Sequence, residues 1–133
     1  MTEDIIFLTV EEVLILHEEN IKLYSPHESL NVLNEGSLRS AVSTPQQTFG
    51  GSFLYESLTE MAAAYLIGLA FNHAFENGNK RVAFAACSTF LRMNGYQLTF
   101  TQDEAVSLTL RMVTHEIERE EVVELLDNAI VPI

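Results

Sequence analysis

The 133 residues of this chain, 47% of them apolar, are enough for one domain with a buried core and too apolar for a disordered protein. The net charge of −12 excludes a surface built to bind nucleic-acid phosphates or an anionic membrane. The single cysteine, Cys87, excludes an intrachain disulfide and a multi-cysteine metal site, and its apolar surroundings predict a buried side chain.

The first predicted element is a helix that ends near Tyr24. Thr9 and Glu12 form a capping-box pattern, and apolar residues follow at helical spacing. His17 falls on or beside the apolar stripe of this helix. A lone histidine in that position predicts a packed or partly exposed structural residue rather than a site.

A short helix from Glu35 to Thr44 is predicted next, and Pro45 closes it. The segment from Gln46 to Ser52 then breaks regular structure, and its pair of glycines indicates a turn or a small hairpin. The local pattern is compatible with an ordinary connector and equally with a flap beside a functional site.

Two strongly apolar helices follow. Ser57 and Glu60 form a second capping box, which opens a helix running toward His73. A further helix is predicted from Arg81 to Met93. Because both segments are apolar nearly all round, we expect them to form a buried central pair.

The C-terminal third predicts an extended stretch over residues 97–100 and two more helices. Thr101 and Glu104 cap the first, and the second runs from about Glu118 to Asn128. The predicted fold class is all-α, with about six helices around the buried pair, a short flap before the third helix, and a single domain spanning residues 1–133.

No targeting or membrane segment is expected. Glu3 and Asp4 lie at the N-terminus without the basic and apolar regions of a signal peptide. The apolar run from Met61 to Phe71 is too short to cross a bilayer. These features predict a cytoplasmic protein without membrane or nucleic-acid partners.

The densest chemistry lies between the central helices, from His73 to Arg81. A helix N-terminus binds phosphate through unpaired N–H groups, and Gly78 allows the backbone to approach an anion. Lys80 and Arg81 add full positive charges. His73 is placed to accept a hydroxyl proton, because imidazole changes charge near neutral pH. Spacing alone also permits an ordinary polar turn between two helices.

This segment, HAFENGNKR, resembles the Fic/Doc signature H-x-F-x-[D/E]-G-N-[G/K]-R, and its lysine is typical of the Doc (death on curing) branch. The segments Leu38–Gln46, Phe49–Gly51 and Phe90–Tyr96 also resemble landmarks of this family. The resemblance implies a Fic/Doc helical bundle over most of the chain.

The resemblance also implies residue roles. His73 would be the general base that deprotonates a hydroxyl on a target protein. The phosphates of ATP would be bound by a nest made of Gly78, Asn79, Lys80 and Arg81. The target peptide would be aligned by strand addition along a flap made of Thr48, Phe49, Gly50 and Gly51.

Lys80 and Phe84 bear on the reaction type, because adenylylating Fic proteins carry glycine and a second arginine at these positions. Both changes are shared with Doc, which phosphorylates a threonine of elongation factor Tu. The resemblance therefore implies transfer of the γ-phosphate of ATP to a Ser/Thr hydroxyl of a translation factor. Adenylyl transfer and a catalytically weak protein-binding module are the alternatives.

Asn77 stands where the family usually has the acidic residue that binds Mg²⁺, and a neutral amide is a weaker ligand for this cation. The family's self-inhibitory pattern, [S/T]-x-x-x-E-[G/N], is not matched, since Glu35-Gly36 is preceded by Asn31 rather than Ser or Thr. A separate antitoxin is therefore the expected partner and control.

Overall fold

The computed structural model describes residues 4–133, so that Glu3 lies outside the described part. Six α-helices are present in this part, as predicted: α1 (Val10–Tyr24), α2 (Glu35–Ser43), α3 (Leu58–Phe71), α4 (Asn79–Met93), α5 (Gln102–Val113) and α6 (Arg119–Asp127). Four short strands accompany them: β1 (Thr48–Phe49), β2 (Ser52–Phe53), β3 (Tyr96–Leu98) and β4 (Ile130–Pro132). The fold is mostly α.

Local capping determines where several helices begin. The side chains of Thr9, Ser57 and Thr101 each accept a hydrogen bond from the backbone N–H three residues later. The carboxylate of the glutamate at that later position accepts one from the backbone N–H of the cap residue. These reciprocal bonds satisfy N–H groups that the first helical turn leaves unpaired. The three predicted capping boxes are therefore confirmed. At the start of α6, the N–H of Glu118 donates to Oε1 of Glu121 at 3.0 Å.

The central pair consists of α3 and α4, which are joined by residues 72–78 and pack against each other more extensively than any other two elements. Most of α3 is buried, including Tyr65, Leu66 and Leu69. On α4 the buried residues lie on one face, whereas Thr89 is half-buried and Arg92 is exposed. The expectation of a helix that is apolar nearly all round therefore holds better for α3 than for α4.

Two small antiparallel pairs complete the fold. In the first, β1 and β2 form a hairpin through Gly50 and Gly51, both at positive φ, which confirms the predicted turn. In the second, β3 pairs with β4, bringing Tyr96 opposite Pro132. The sequence predicted an extended segment near β3 but no partner for it. Within residues 4–133, no helix is both long and apolar enough to span a bilayer.

Candidate active site at the turn between the central helices

His73 lies two residues after the end of α3 in an unusual backbone conformation. Its φ of 50° falls in the left-handed region, which is uncommon for a residue with a side chain, and the residue is exposed. The next residues, Ala74 and Phe75, are buried. The chain therefore presents the predicted general base at the surface and anchors the following residues in the core.

The turn is held by the segment that precedes α2. The N–H groups of Leu33 and Asn34 both donate to the carbonyl of Ala74, at 2.7 and 3.2 Å. The N–H of Glu76 donates to the carbonyl of Asn31 at 3.0 Å. These backbone bonds resemble a short strand pairing and restrict the path of the chain after His73.

Asn79 braces the same turn from inside. Its Oδ1 accepts from the N–H of Phe75 at 3.1 Å, and its Nδ2 donates to the carbonyl of Phe75 at 2.9 Å. Both polar atoms of the side chain are therefore used within the loop. The contribution of Asn79 to phosphate binding stays a prediction. Because its side chain is engaged, this contribution would come from its backbone N–H.

Helix α4 begins at Asn79, two residues before the predicted start at Arg81. Gly78 is its N-cap, at φ 79° and ψ 19°, and the N–H of Val82 makes the first helical bond, to the carbonyl of Gly78 at 3.0 Å. The N–H groups of residues 79–81 precede that bond, as expected for a first turn. Since the N-cap has no side chain, no cap side chain competes with an anion there.

The two cations of the motif have different surroundings. Lys80 is exposed. The guanidinium of Arg81 is held against the end of α1: its Nη1 donates to Ser25 Oγ at 3.1 Å, and its Nη2 lies 3.5 Å from Glu28 Oε1. Its guanidinium carbon also lies 5.7 Å from the ring centre of Tyr24. Arg81 is thus oriented by protein contacts rather than extended into solvent.

The donor groups of the turn do not fit a magnesium site carried by the protein. The carboxylate of Glu76 accepts from Asn31 Nδ2 at 3.1 Å, so one of its oxygens is already engaged by the segment before α2. Asn77 then offers one neutral amide, whose Nδ2 lies 3.5 Å from the carbonyl of Ser29. No group of three or more His, Cys, Asp or Glu side chains within residues 4–133 could hold a metal. Metal binding by Asn77 stays a prediction.

Helix α1 supplies a residue of the turn that the sequence did not indicate. His17 is buried, as expected, but its ring stacks on Phe75 with centroids 3.7 Å apart and planes at 13°. Its Nε2 lies 2.7 Å from the backbone carbonyl of Asn77. His17 and Asn77 are 60 residues apart in the sequence, so no local pattern indicates this contact. His115 makes a different contact, because its ring stacks on that of Phe71 with the centroids 5.5 Å apart.

The predicted flap lies with a different part of the molecule. Thr48, Gly51 and Phe53 line an open groove of about 1090 Å³ together with the N-terminal end of α3 and Met93 at the C-terminal end of α4. These helix ends are remote from the turn, because the 14 residues of α3 span about 20 Å. The volume of this groove is therefore no evidence for the chemistry at His73. Target binding by the flap stays a prediction.

Comparisons with known proteins agree with this architecture. Residues 7–91 match the model of the Fic/DOC family. A protein named "Toxin Doc" from Mycolicibacterium smegmatis is 44% identical over 91 residues, which cover 67% of this chain and 70% of the relative. "Protein kinase doc" from Escherichia phage P1 is 31% identical over 122 residues, 90% of this chain and 91% of the relative. The chain therefore belongs to the Fic/Doc family, on its Doc branch.

Proposed function

We propose that this protein is a Doc-type toxin that transfers the γ-phosphate of ATP to a Ser/Thr hydroxyl of a target protein, with a translation factor such as elongation factor Tu as the target. The observation that carries the proposal is the exposed His73, five residues before a helix N-terminus whose cap is the glycine Gly78 and whose first turn carries Lys80 and Arg81. The printed names of the two relatives, a toxin and a protein kinase, support it.

The proposed reaction is a direct displacement at the γ-phosphorus. The target oxygen forms a bond to phosphorus, the bond to the ADP oxygen breaks, and His73 accepts the hydroxyl proton. The N–H groups at the start of α4 bind the nucleotide phosphates, together with Lys80 and Arg81. Magnesium would neutralise phosphate charge in such a transfer, but the donor groups of the turn between α3 and α4 fit it poorly, and no step is assigned to it.

Phosphoryl transfer is preferred to adenylyl transfer because of the residue at position 84. Phe84 is half-buried on α4, with its ring centre 6.3 Å from that of Phe100. An apolar ring in this position cannot supply the second guanidinium that adenylylating relatives use on the triphosphate. Lys80 adds a compact, exposed charge one residue into α4.

A separate antitoxin is part of the proposal. The sequence lacks the family's self-inhibitory pattern, and the relative from Mycolicibacterium smegmatis is named a toxin. Action on a translation factor also requires the protein to work in the cytoplasm.

Labelled ATP provides the decisive experiment. The purified protein is incubated with elongation factor Tu and ATP labelled at either the α or the γ position. We expect label on the target only from the γ position. Label from the α position would replace the kinase proposal with adenylyl transfer, and the absence of both labels, in cell extract as well, would favour a protein-binding module.

His73→Gly is the matched inactive variant. Glycine adopts a φ of 50° without strain, so the substitution removes the imidazole without disturbing the backbone. His115→Gly is the control, because His115 also has a positive φ, 62°, and lies outside the proposed machinery. We expect His73→Gly to lose transfer and toxicity by at least ~100-fold, and His115→Gly to retain both. Equal activity of the two variants would remove His73 from the mechanism.

A further inference from the structure

The contact between His17 and the turn determines the direction of one peptide bond. A carbonyl oxygen only accepts hydrogen bonds, so the His17 Nε2 that lies 2.7 Å from the Asn77 carbonyl must carry a proton. The Asn77 carbonyl and the Gly78 N–H belong to the same planar trans peptide and therefore point in opposite directions. Because the carbonyl points toward α1, the N–H of Gly78 points away from α1.

Packing from α1 reinforces this arrangement. A Cβ built on Gly78 would lie 3.0 Å from Ile21 Cδ1 and 3.6 Å from His17 Nε2, so the backbone at Gly78 lies directly against these two side chains. His17 and Ile21 are separated by one helical turn and both are buried. These two side chains, which we call the floor of the turn, support the backbone at Gly78. Of the two, only His17 makes a hydrogen bond to the turn, to the carbonyl of Asn77.

We infer that His17 is a positioning residue, which holds the Asn77–Gly78 peptide in the orientation that directs the Gly78 N–H toward a bound phosphate. The inference rests on the proposed function, since it assigns a role to His17 in the nest that would bind ATP. If the peptide turned over, the Asn77 carbonyl would point its negative end at the phosphates. The anion site would then lose a donor and gain a repulsive dipole.

The surroundings of His17 favour a neutral ring with a single proton on Nε2. Burial lowers the pKa of His17 below 6.5, and the nearby Arg81 acts in the same direction, while the hydrogen bond to Asn77 opposes both. A phenylalanine would stack on Phe75 equally well but could not donate. The packing alone therefore does not explain a histidine at this position.

Two substitutions separate the donor from the ring. His17→Phe keeps an aromatic ring against Phe75 and removes the donor. His17→Gln removes the ring but places an amide Nε2 at the same number of bonds from Cα as the imidazole Nε2. His27→Phe is the control for introducing phenylalanine, because His27 is an exposed histidine in the loop after α1.

ATP affinity, measured by calorimetry, gives the functional result. We expect His17→Phe to bind ATP about ten-fold more weakly than the wild type, as expected for one lost hydrogen bond to a charged group. His17→Gln and His27→Phe should stay within about two-fold of the wild type. Equal losses in His17→Phe and His17→Gln, or none in His17→Phe, would overturn the inference.

Nuclear magnetic resonance of the ligand-free protein tests the geometry independently of the proposed function. The wild type should show His17 protonated at Nε2, and the Gly78 amide signal should shift in His17→Phe but little in His17→Gln. A wild-type His17 that is protonated only at Nδ1 would overturn the inference. Because this measurement uses the wild type, it remains decisive if a variant fails to fold. If the wild type shows the expected signals yet binds no ATP, the proposed function fails while the role of His17 in holding the peptide stands.

Discussion

At the scale of single residues, the side chains and the backbone of the segment from His73 to Arg81 have different roles. Asn79 uses its whole amide group to brace Phe75, and the guanidinium of Arg81 is directed by Ser25 and Glu28. The N–H groups of residues 79–81, which precede the first helical hydrogen bond, and the exposed ammonium of Lys80 are then the donors offered to an anion. The residue types of the signature therefore determine the conformation of the turn as well as its charge.

Gly78→Ala should destabilise the protein more than Gly51→Ala. Both glycines have positive φ, 79° and 85°, so both substitutions impose left-handed strain of about 1 kcal/mol. Only at Gly78 would the new methyl group also meet a neighbour, Ile21 Cδ1 at 3.0 Å, whereas at Gly51 it meets nothing within 4 Å. We expect a further loss of about 1 kcal/mol at Gly78. Urea denaturation of both variants measures this difference, and equal losses would contradict the packing of α1 on the turn.

At the scale of elements, one buried hydrogen bond ties the segment before α1 to the central helix α3. Tyr65 is fully buried, and its hydroxyl oxygen accepts from the N–H of Leu8 at 2.9 Å. Burial raises the pKa of Tyr65 to about 12, so the hydroxyl stays protonated at neutral pH. The bond positions the start of α1, and α1 in turn supplies the floor of the turn.

Tyr65→Phe should therefore cost about 1–3 kcal/mol of unfolding free energy, because it leaves the buried N–H of Leu8 without a partner. Tyr55→Phe is the comparison, since the ring of Tyr55 lies half-buried beside the guanidinium of Arg119, 4.5 Å away. The loss there should stay within about 0.5 kcal/mol. Chemical denaturation measures both, and a Tyr65→Phe protein as stable as the wild type would show that the Leu8 N–H finds another partner.

At the scale of the whole molecule, the central pair separates two regions. One end of the pair carries the turn with His73, and the other end carries the open groove with the hairpin. Phe49 on this hairpin is 83% exposed. A target segment bound along the hairpin would have to reach His73 around the helices, so the position of the hairpin is a constraint on any model of the complex with a target.

Cys87 reports on the integrity of the whole molecule. It is fully buried in α4, and burial raises the pKa of its thiol to about 12, so the reactive thiolate is nearly absent from the folded protein at pH 8. We expect a disulfide-exchange reagent to leave Cys87 unlabelled in buffer and to label it fully in urea. Glutathione at the same pH is the control. Rapid labelling without urea would indicate that the central pair opens locally.

Local patterns in the sequence were sufficient for the helices and the turn. The capping boxes at Thr9, Ser57 and Thr101 each involve two residues only three positions apart, and each determines where a helix begins. The sequence predicts the start of α4 two residues too late, because its cap is Gly78, which has no side chain to provide a capping pattern. The sequence does not predict the pairing of β3 with β4, since the two strands lie more than thirty residues apart and no pattern of neighbouring residues indicates their contact.

The sequence by itself determined the family, the helical architecture and the nine-residue segment, His73 to Arg81, that we propose as the site, because all three depend on neighbouring residues. Only the tertiary structure decided which partners these residues have. His17 reaches Asn77 across 60 positions, and Arg81 reaches Ser25 across 56. Such contacts arise from the way α1 packs over the turn, and this packing follows from the burial of the whole core rather than from any single pattern.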